Sequence, residues 1–526
     1  MNPNKYILTF LFFILILGVQ AQSKYPATVE VVLQQAKGNR VELEKSLDYF
    51  YKGKDSLKIK AINFLIENMP IHRSYNYYWA DSLDNRLPYN ELDYPSFDSS
   101  IKAFEALKAV TPKIHPVPNN YNDIDSIKGD YLIENVNRAF AELKQPWSNN
   151  LSFSDFCEYL LPYRVSIEPL EDWRGLYEKK FAWIMDSTKN QKQDSVVDFF
   201  ENDCLHWFEN TFFSETRKEP LPRLDALRLL HRKKGACEDR ADVTVLEMRS
   251  QGIPAAVDFI PHWATSTWSH FLWGAPTLMK TPKEINTGLT KLIPPGKLKL
   301  PREPGKVLRT TYSKQAGTLA SIVNPDNIPQ GFLRSVNYVD VTDQYWETKD
   351  VEVPINQPMK SKISPVAFMG DISGNEVIYA CVLNSQQWKV EWWGRAKGNA
   401  VKFNKLGKGA VYLPMRYTNK FLMPAGYPMA VGYNESHLLQ PDTANRHTIH
   451  LPQQDKYLIY RPGKKYTLYY WGNKWITIGT QTAADSTTEL VFEKVPKNAL
   501  LLLVPEYTQH KDRPFEIMET GERVWW

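Results

Sequence analysis

Cys237 and His270 are the residues of this chain whose types and spacing most directly suggest a reaction. The cysteine follows Gly235-Ala236 and opens a run in which Ala241, Val245 and Met248 recur at helical spacing, until Gly252 and Pro254 stop it. Cys237 is therefore expected in the first turn of a helix, where unpaired backbone N–H groups and the positive end of the macrodipole favour an anion over a neutral thiol. His270 comes 33 positions later. The apolar run Ile253–Ile260 reads as one strand and Thr267–Trp273 as a second, and pairing of the two lets His270 face the helix start. A thiol activated by a histidine attacks a carbonyl carbon and forms an acyl-enzyme, which water or an amine then resolves.

The order of elements is a glycine, one residue, the cysteine, an amphipathic helix, Gly252-Ile253-Pro254, a strand, and a second strand carrying His270 beside aromatics. In this it resembles the transglutaminase-like superfamily of papain-type cysteine enzymes, over roughly Phe153 to Tyr345. The resemblance implies Cys237 as nucleophile, His270 as general base, and a third residue that holds the imidazole. The family's usual His-x-Trp followed shortly by an aspartate is not reproduced here. The acidic residue between His270 and position 300 is Glu284, with Asn286 as an amide alternative and Asp340 as a distant one. Glu284 is the favoured candidate; each can accept a hydrogen bond from the imidazole and fix its tautomer. The oxyanion donors expected for this chemistry are the backbone N–H of Cys237 and one further group upstream. The mechanism requires no metal or organic cofactor. Asp258, His262 and His270 form a minor zinc alternative, since their spacing fits neither HExxH nor a Cys/His zinc pattern.

The elements that must position these residues belong to a long exported chain. Lys5 precedes the apolar run Ile7–Leu17, and Val19-Gln20-Ala21 offers small residues for cleavage before Gln22, which reads as a secretory signal over residues 1–21. No cysteine follows to take a lipid and the run is short for a membrane span, so a periplasmic or extracellular protein without a stable membrane span is expected. In an oxidising compartment four cysteines can make two disulfides. Yet Cys157 and Cys204 read as buried helix-face thiols and Cys381 as a strand residue of another domain, leaving Cys237 distinguished by its place at a helix start. A net charge of +5 over 526 residues is too mild and dispersed for nucleic-acid binding.

The fold class expected is multidomain α+β. Residues 22–149 read as a helical N-terminal domain, with an apolar stripe over Lys58–Met69 ending at Pro70 and a second amphipathic helix over Tyr131–Phe140. Tyr75, Tyr77, Tyr78 and Trp79 read first as packing and second as a binding surface. Residues 150–345 form the transglutaminase-like core, entered through Leu160–Arg174, whose charges read first as a structural ion-pair network and second as a substrate-orienting one. The Pro-, Gly- and Lys-rich stretch between Pro276 and Gln330 reads as a lid, a substrate-binding insertion or surface decoration. Period-two alternation then predicts β-sandwich domains over 346–445 and 446–526. Trp388, Trp392, Trp393, Trp471, Trp475, Trp525 and Trp526 raise glycan binding through these modules, against core and interface packing as the plainer account.

The function expected is an exported thiol acyl-transfer enzyme acting on amide bonds of peptides or glycopeptides through Cys237 and His270, with hydrolysis ahead of cross-linking. The alternative is a non-catalytic glycan- or peptide-binding surface protein that keeps the fold as a scaffold.

Overall fold

The computed structural model describes residues 24–143, 151–188, 191, 193–211, 223–275, 302–356, 376–454 and 458–526. The segment read as a secretory signal, Glu284 and Asn286 lie outside them. The architecture is mixed helix and sheet, compatible with a multidomain α+β protein. The chain folds as two compact units, Met1–Lys180 with Glu219–Arg228, and Phe181–Lys218 with Leu229–Trp526.

The first unit is led by helices α1 (Ala27–Gln35), α2 (Arg40–Gly53), α3 (Ser56–Asn68), α4 (Phe97–Val110) and α5 (Gly129–Glu142). Helix α3 starts where the Asp55 carboxylate accepts from the N–H groups of Leu57 and Lys58, and it buries Ala61, Ile62, Leu65 and Ile66. It ends at Asn68, just before the Met69-Pro70 turn, because proline has no N–H to continue the ladder. The unit is not wholly helical: Tyr77–Ala80 pairs with His115–Pro118, and Trp79 packs its ring on Phe104 at 4.6 Å.

The charged segment Leu160–Arg174, expected to open the second domain, belongs to the first unit and is held inside it. Arg164 donates through Nε to Asp123 at 2.6 Å, and the Glu168 carboxylate accepts the N–H groups of Val165 and Ser166 at 2.6 and 2.7 Å. Arg174 donates to Glu142 at 2.9 Å and to Asn135 at 2.6 Å. Burial pushes the Glu142 carboxyl up to about 7, against the partial pull of Arg174. Between the unfolded value and pH 7 the folded unit thus keeps a proton that the unfolded chain has released, so stability falls as pH rises through that window. Urea titrations from pH 5 to pH 8 are expected to show a loss of up to ~3 kcal/mol, and Glu142→Gln should flatten the profile.

The second unit holds helix α6 (Gln193–Trp207), helix α7 (Cys237–Ser250) and a four-stranded antiparallel sheet. The strands are β1 (Ala256–Ile260), β2 (His270–Gly274), β3 (Leu308–Thr310) and β4 (Tyr338–Asp340), in the spatial order β4-β3-β1-β2. Helix α7 packs against α6, β1 and β2.

Next comes a curled sheet of eight strands: β5 (Thr348–Pro354), β6 (Val377–Asn384), β7 (Gln387–Lys397), β8 (Ala400–Gly407), β9 (Ala410–Thr418), β10 (Phe421–Pro424), β11 (Met429–Val431) and β12 (Ser436–Leu438). Strand β6 is apolar on both faces: Ile378, Ala380 and Val382 enter one core while Tyr379 and Cys381 enter another. A strand covered on both sides reads as a continuous apolar run, as this one does.

The last strands are β13 (Asp442–Pro452), β14 (Lys465–Trp471), β15 (Trp475–Thr482), β16 (Glu489–Lys497), β17 (Leu501–Pro505), β18 (Phe515–Ile517) and β19 (Arg523–Trp525). The pair β13–β16 and the sheet β15-β14-β17-β18-β19 share one core, into which Ile449, Tyr466, Leu468, Phe492 and Leu501 project, a sandwich-like arrangement. Among the described residues no helix is long and apolar enough to cross a membrane.

Candidate functional site

Both ends of α7 are set by local chemistry. At the start, the Asp239 carboxylate turns back to accept the N–H of Ala236 at 2.9 Å, and a Cβ on Gly235 would sit 2.6 Å from that carboxylate. Glycine is therefore required ahead of the cysteine by packing rather than by backbone twist. At the end, Gly252 takes φ +76°, its N–H donates to Arg249 O and the Ile253 N–H donates to Met248 O. This is a Schellman cap, and it turns the chain straight into β1.

The topology then decides where His270 lies. Helix α7 is 14 residues, about 20 Å long, and β1 runs back along it from its C-terminal end. Arg249 Nε donates to Ala255 O at 2.8 Å and ties the start of β1 to that end. Strand β2 is antiparallel to β1 with Ile260 opposite His270, so β2 begins at the end of the layer where α7 begins. Cys237, first residue of the helix, and His270, first residue of β2, are thereby brought to one end of the helix-on-sheet layer. Parallel pairing of Glu209–Asn210 with Lys234–Gly235 adds an upstream segment beside the helix entry, where Thr211 N donates to Gly235 O at 2.8 Å.

All four cysteines are free thiols, and Cys237 is the one that is not buried. Burial pushes the thiols of Cys157 and Cys204 up to about 12 and that of Cys381 higher. The field at the start of α7 is shared, because Glu238 and Asp239 both sit in the first turn and Asp239 is fully buried. These carboxylates oppose an anionic sulfur, and His270 is the candidate for the cationic partner of a thiolate here.

The Pro261–Ser269 loop ahead of His270 is built by residues the sequence did not flag. The His270 ring stacks on Trp263, centroids 5.8 Å apart and planes at 27°. Asn384, at the end of β6, donates to Trp263 O at 3.0 Å and Trp268 O at 2.9 Å and accepts from Trp268 N at 3.1 Å. Trp268 is held at φ +70° and is 66% exposed, a conformation unusual for a bulky residue and maintained by that clamp. Asn384→Ala is expected to destabilise by about 1–3 kcal/mol and to raise amide hydrogen exchange across residues 261–269 above the rest of the sheet. An unchanged exchange pattern would show that the clamp is dispensable.

Of the residues weighed as the third member, Asp340 is placed away from His270. It lies on β4, three strand positions from β2, or roughly 14 Å at the usual strand spacing. Its carboxylate accepts from the fully buried Lys306 ammonium at 2.5 Å, which also reaches the carbonyls of Asn404 and Lys405. Asp340 is thus the counter-ion of a buried lysine.

The zinc alternative loses its donors in the same way. Asp258 is fully buried and receives a two-point contact from Arg309 at 2.9 and 2.8 Å, with Tyr345 Oη on the same carboxylate. His262 pairs with Glu391 at 3.2 Å. Among the described residues no cluster of three or more His, Cys, Asp or Glu is suited to a metal.

The tryptophans raised for glycan binding divide by environment. Trp471 and Trp526 are buried, while Trp392 takes the Lys306 ammonium over its face at 4.2 Å. Trp388 packs edge-on against Trp471 at 5.3 Å, and Trp525 donates to Gln454 at 2.8 Å. The sequence matches no family model and no curated protein.

Proposed function

We propose that the protein is an exported thiol acyl-transfer enzyme of transglutaminase-like type that hydrolyses amide bonds in peptides or glycopeptides. Supporting this is one observation above the rest: the partly buried cysteine that begins α7 and the histidine that begins β2 share one end of the layer. His270 takes the Cys237 proton and the sulfur attacks the carbonyl carbon. The oxyanion accepts from the Cys237 N–H, and the imidazolium returns its proton to the leaving amine, giving a thioester. Water then attacks the thioester, its proton passing to His270 and back to the sulfur as the acid leaves. Glu284 is the residue proposed to orient the imidazole.

The test is mass spectrometry of the mature protein after exposure to peptide aldehydes and activated peptide esters. A covalent adduct on Cys237 that is absent in His270→Ala supports the reading, and no adduct on any thiol refutes it. A second reading, a binding protein on this scaffold, is favoured by the buried Asp239 carboxylate in the same helical turn as Cys237, which works against the thiolate.

A further inference from the structure

We propose that a cleft between the Pro329–Leu333 turn and strands β7, β9 and β10 binds an extended acidic peptide. Its role in presenting substrate to Cys237 rests on the acyl-transfer reading; the binding itself does not.

The cleft has a volume of about 440 Å³. Its walls are aromatic, with Phe332, Trp388, Tyr417 and Phe421, and each of the first three is braced from behind. Phe332 lies edge-on to Phe259 at 6.2 Å, Trp388 to Trp471 at 5.3 Å and Tyr417 to Tyr379 at 6.4 Å. A wall already fixed in place loses little side-chain freedom when a ligand arrives. Phe421 is different: it is 71% exposed, on a strand that pairs with β9 alone among the described residues.

Charge selects the class of ligand. Lys389 and Lys420 line the cleft, and none of its described lining residues is a carboxylate. Neither lysine is in an ion pair among the described residues; Lys389 donates to the neutral Gln387 at 2.7 Å. Lys420 stands in the two-residue turn joining β9 to β10, where Asn419 and Lys420 take φ +52° and +67°, so its backbone is fixed. Glu391 lies nearby in sequence but is fully buried and held by His262, so it does not neutralise the pair. Two uncompensated cations over aromatic walls suit an anion with an apolar body. A peptide is favoured over an acidic sugar because β10 has one edge unpaired among the described residues, which a peptide backbone can match and a sugar cannot.

The cleft also borders the strand that carries His270. Phe259 of β1 touches Phe332 and stacks on Phe271 of β2, which follows His270 directly and projects from the opposite face of the strand. His262, in the loop that leads to His270, is itself a lining residue.

The test is fluorescence anisotropy with the full chain carrying Cys237→Ala, which removes turnover. The probes are a labelled peptide alternating Glu with Phe, its Gln analogue, its Lys analogue, and an oligouronate. The Glu peptide is expected to bind at least about tenfold more tightly than the Gln analogue, with Lys389→Glu/Lys420→Glu removing that advantage and Phe421→Ala weakening every peptide. All three side chains are at least partly exposed, and an unchanged Tm confirms that the variants fold. Equal binding of the three peptides, binding of the oligouronate alone, or indifference to the double substitution would overturn the assignment. A Glu peptide that binds yet is never cleaved by the wild type removes the acyl-transfer reading and leaves the cleft. Cleavage of neutral peptides without selective binding does the reverse.

Discussion

Cys237→Ala is expected to lower amide hydrolysis by about 10⁴-fold or more, and His270→Ala by a comparable factor, with the double variant little worse than either. Groups that act as one unit fail together, because losing either leaves only binding and oxyanion stabilisation. The companion measurement is iodoacetamide labelling followed by peptide mapping at pH 6. Cys157, Cys204 and Cys381 are buried and their thiols are held protonated, so modification should fall on Cys237 first. His270→Ala should slow that labelling, since it removes the base proposed to take the thiol proton. Slow labelling that ignores His270 would sink the nucleophile assignment whatever the outcome of the activity screens.

Arg309→Met is expected to cost about 3–5 kcal/mol in urea unfolding, the largest single effect on stability among the variants considered. Asp258 and Arg309 face each other across β1 and β3, at 0% and 5% exposure, and removing the guanidinium strands a buried carboxylate. Tyr345 cannot replace it: burial beside that carboxylate pushes its hydroxyl well above the usual phenol range, so it donates one hydrogen bond and carries no charge. The double variant Asp258→Leu/Arg309→Met should recover most of the loss, because the cost lies in the unpaired charge and not in the missing attraction. Gly274→Ala tests the same pair from the side, as its Cβ would lie 2.6 Å from the Asp258 carboxylate and 2.8 Å from the Arg309 guanidinium. Equal losses for the single and double charge variants would mean that the pair contributes mainly by packing.

The helix that starts at Cys237 was readable because both its ends are made by neighbours in sequence, Gly235 with Asp239 and Gly252 with Ile253. Strands β1 and β2 were readable from short apolar runs, and their pairing follows from a single connecting loop. What escaped reading is made by partners far apart in the chain. Asp258 read as a metal donor because its counter-ion is 51 positions away, and Asp340 read as a triad candidate because its lysine is 34 positions away. Asn384 gave no signal at all, since an asparagine at a hairpin end ordinarily serves its own turn. The charges of Leu160–Arg174 were rightly seen as a network, but the unit they serve depends on Asp123 and Asn135, which nothing local announces.

The Asn384 clamp also bears on the order of events as the chain is made. The amide that closes the Trp263–Trp268 loop is synthesised 116 residues after Trp268. At ~5–20 residues per second, the growing chain carries both thiol and imidazole for roughly 5–25 s before the loop that sets the imidazole can be fastened. An early fragment of this protein, ending before Asn384, therefore holds Cys237 and His270 without the contact that fastens the loop between Trp263 and Trp268.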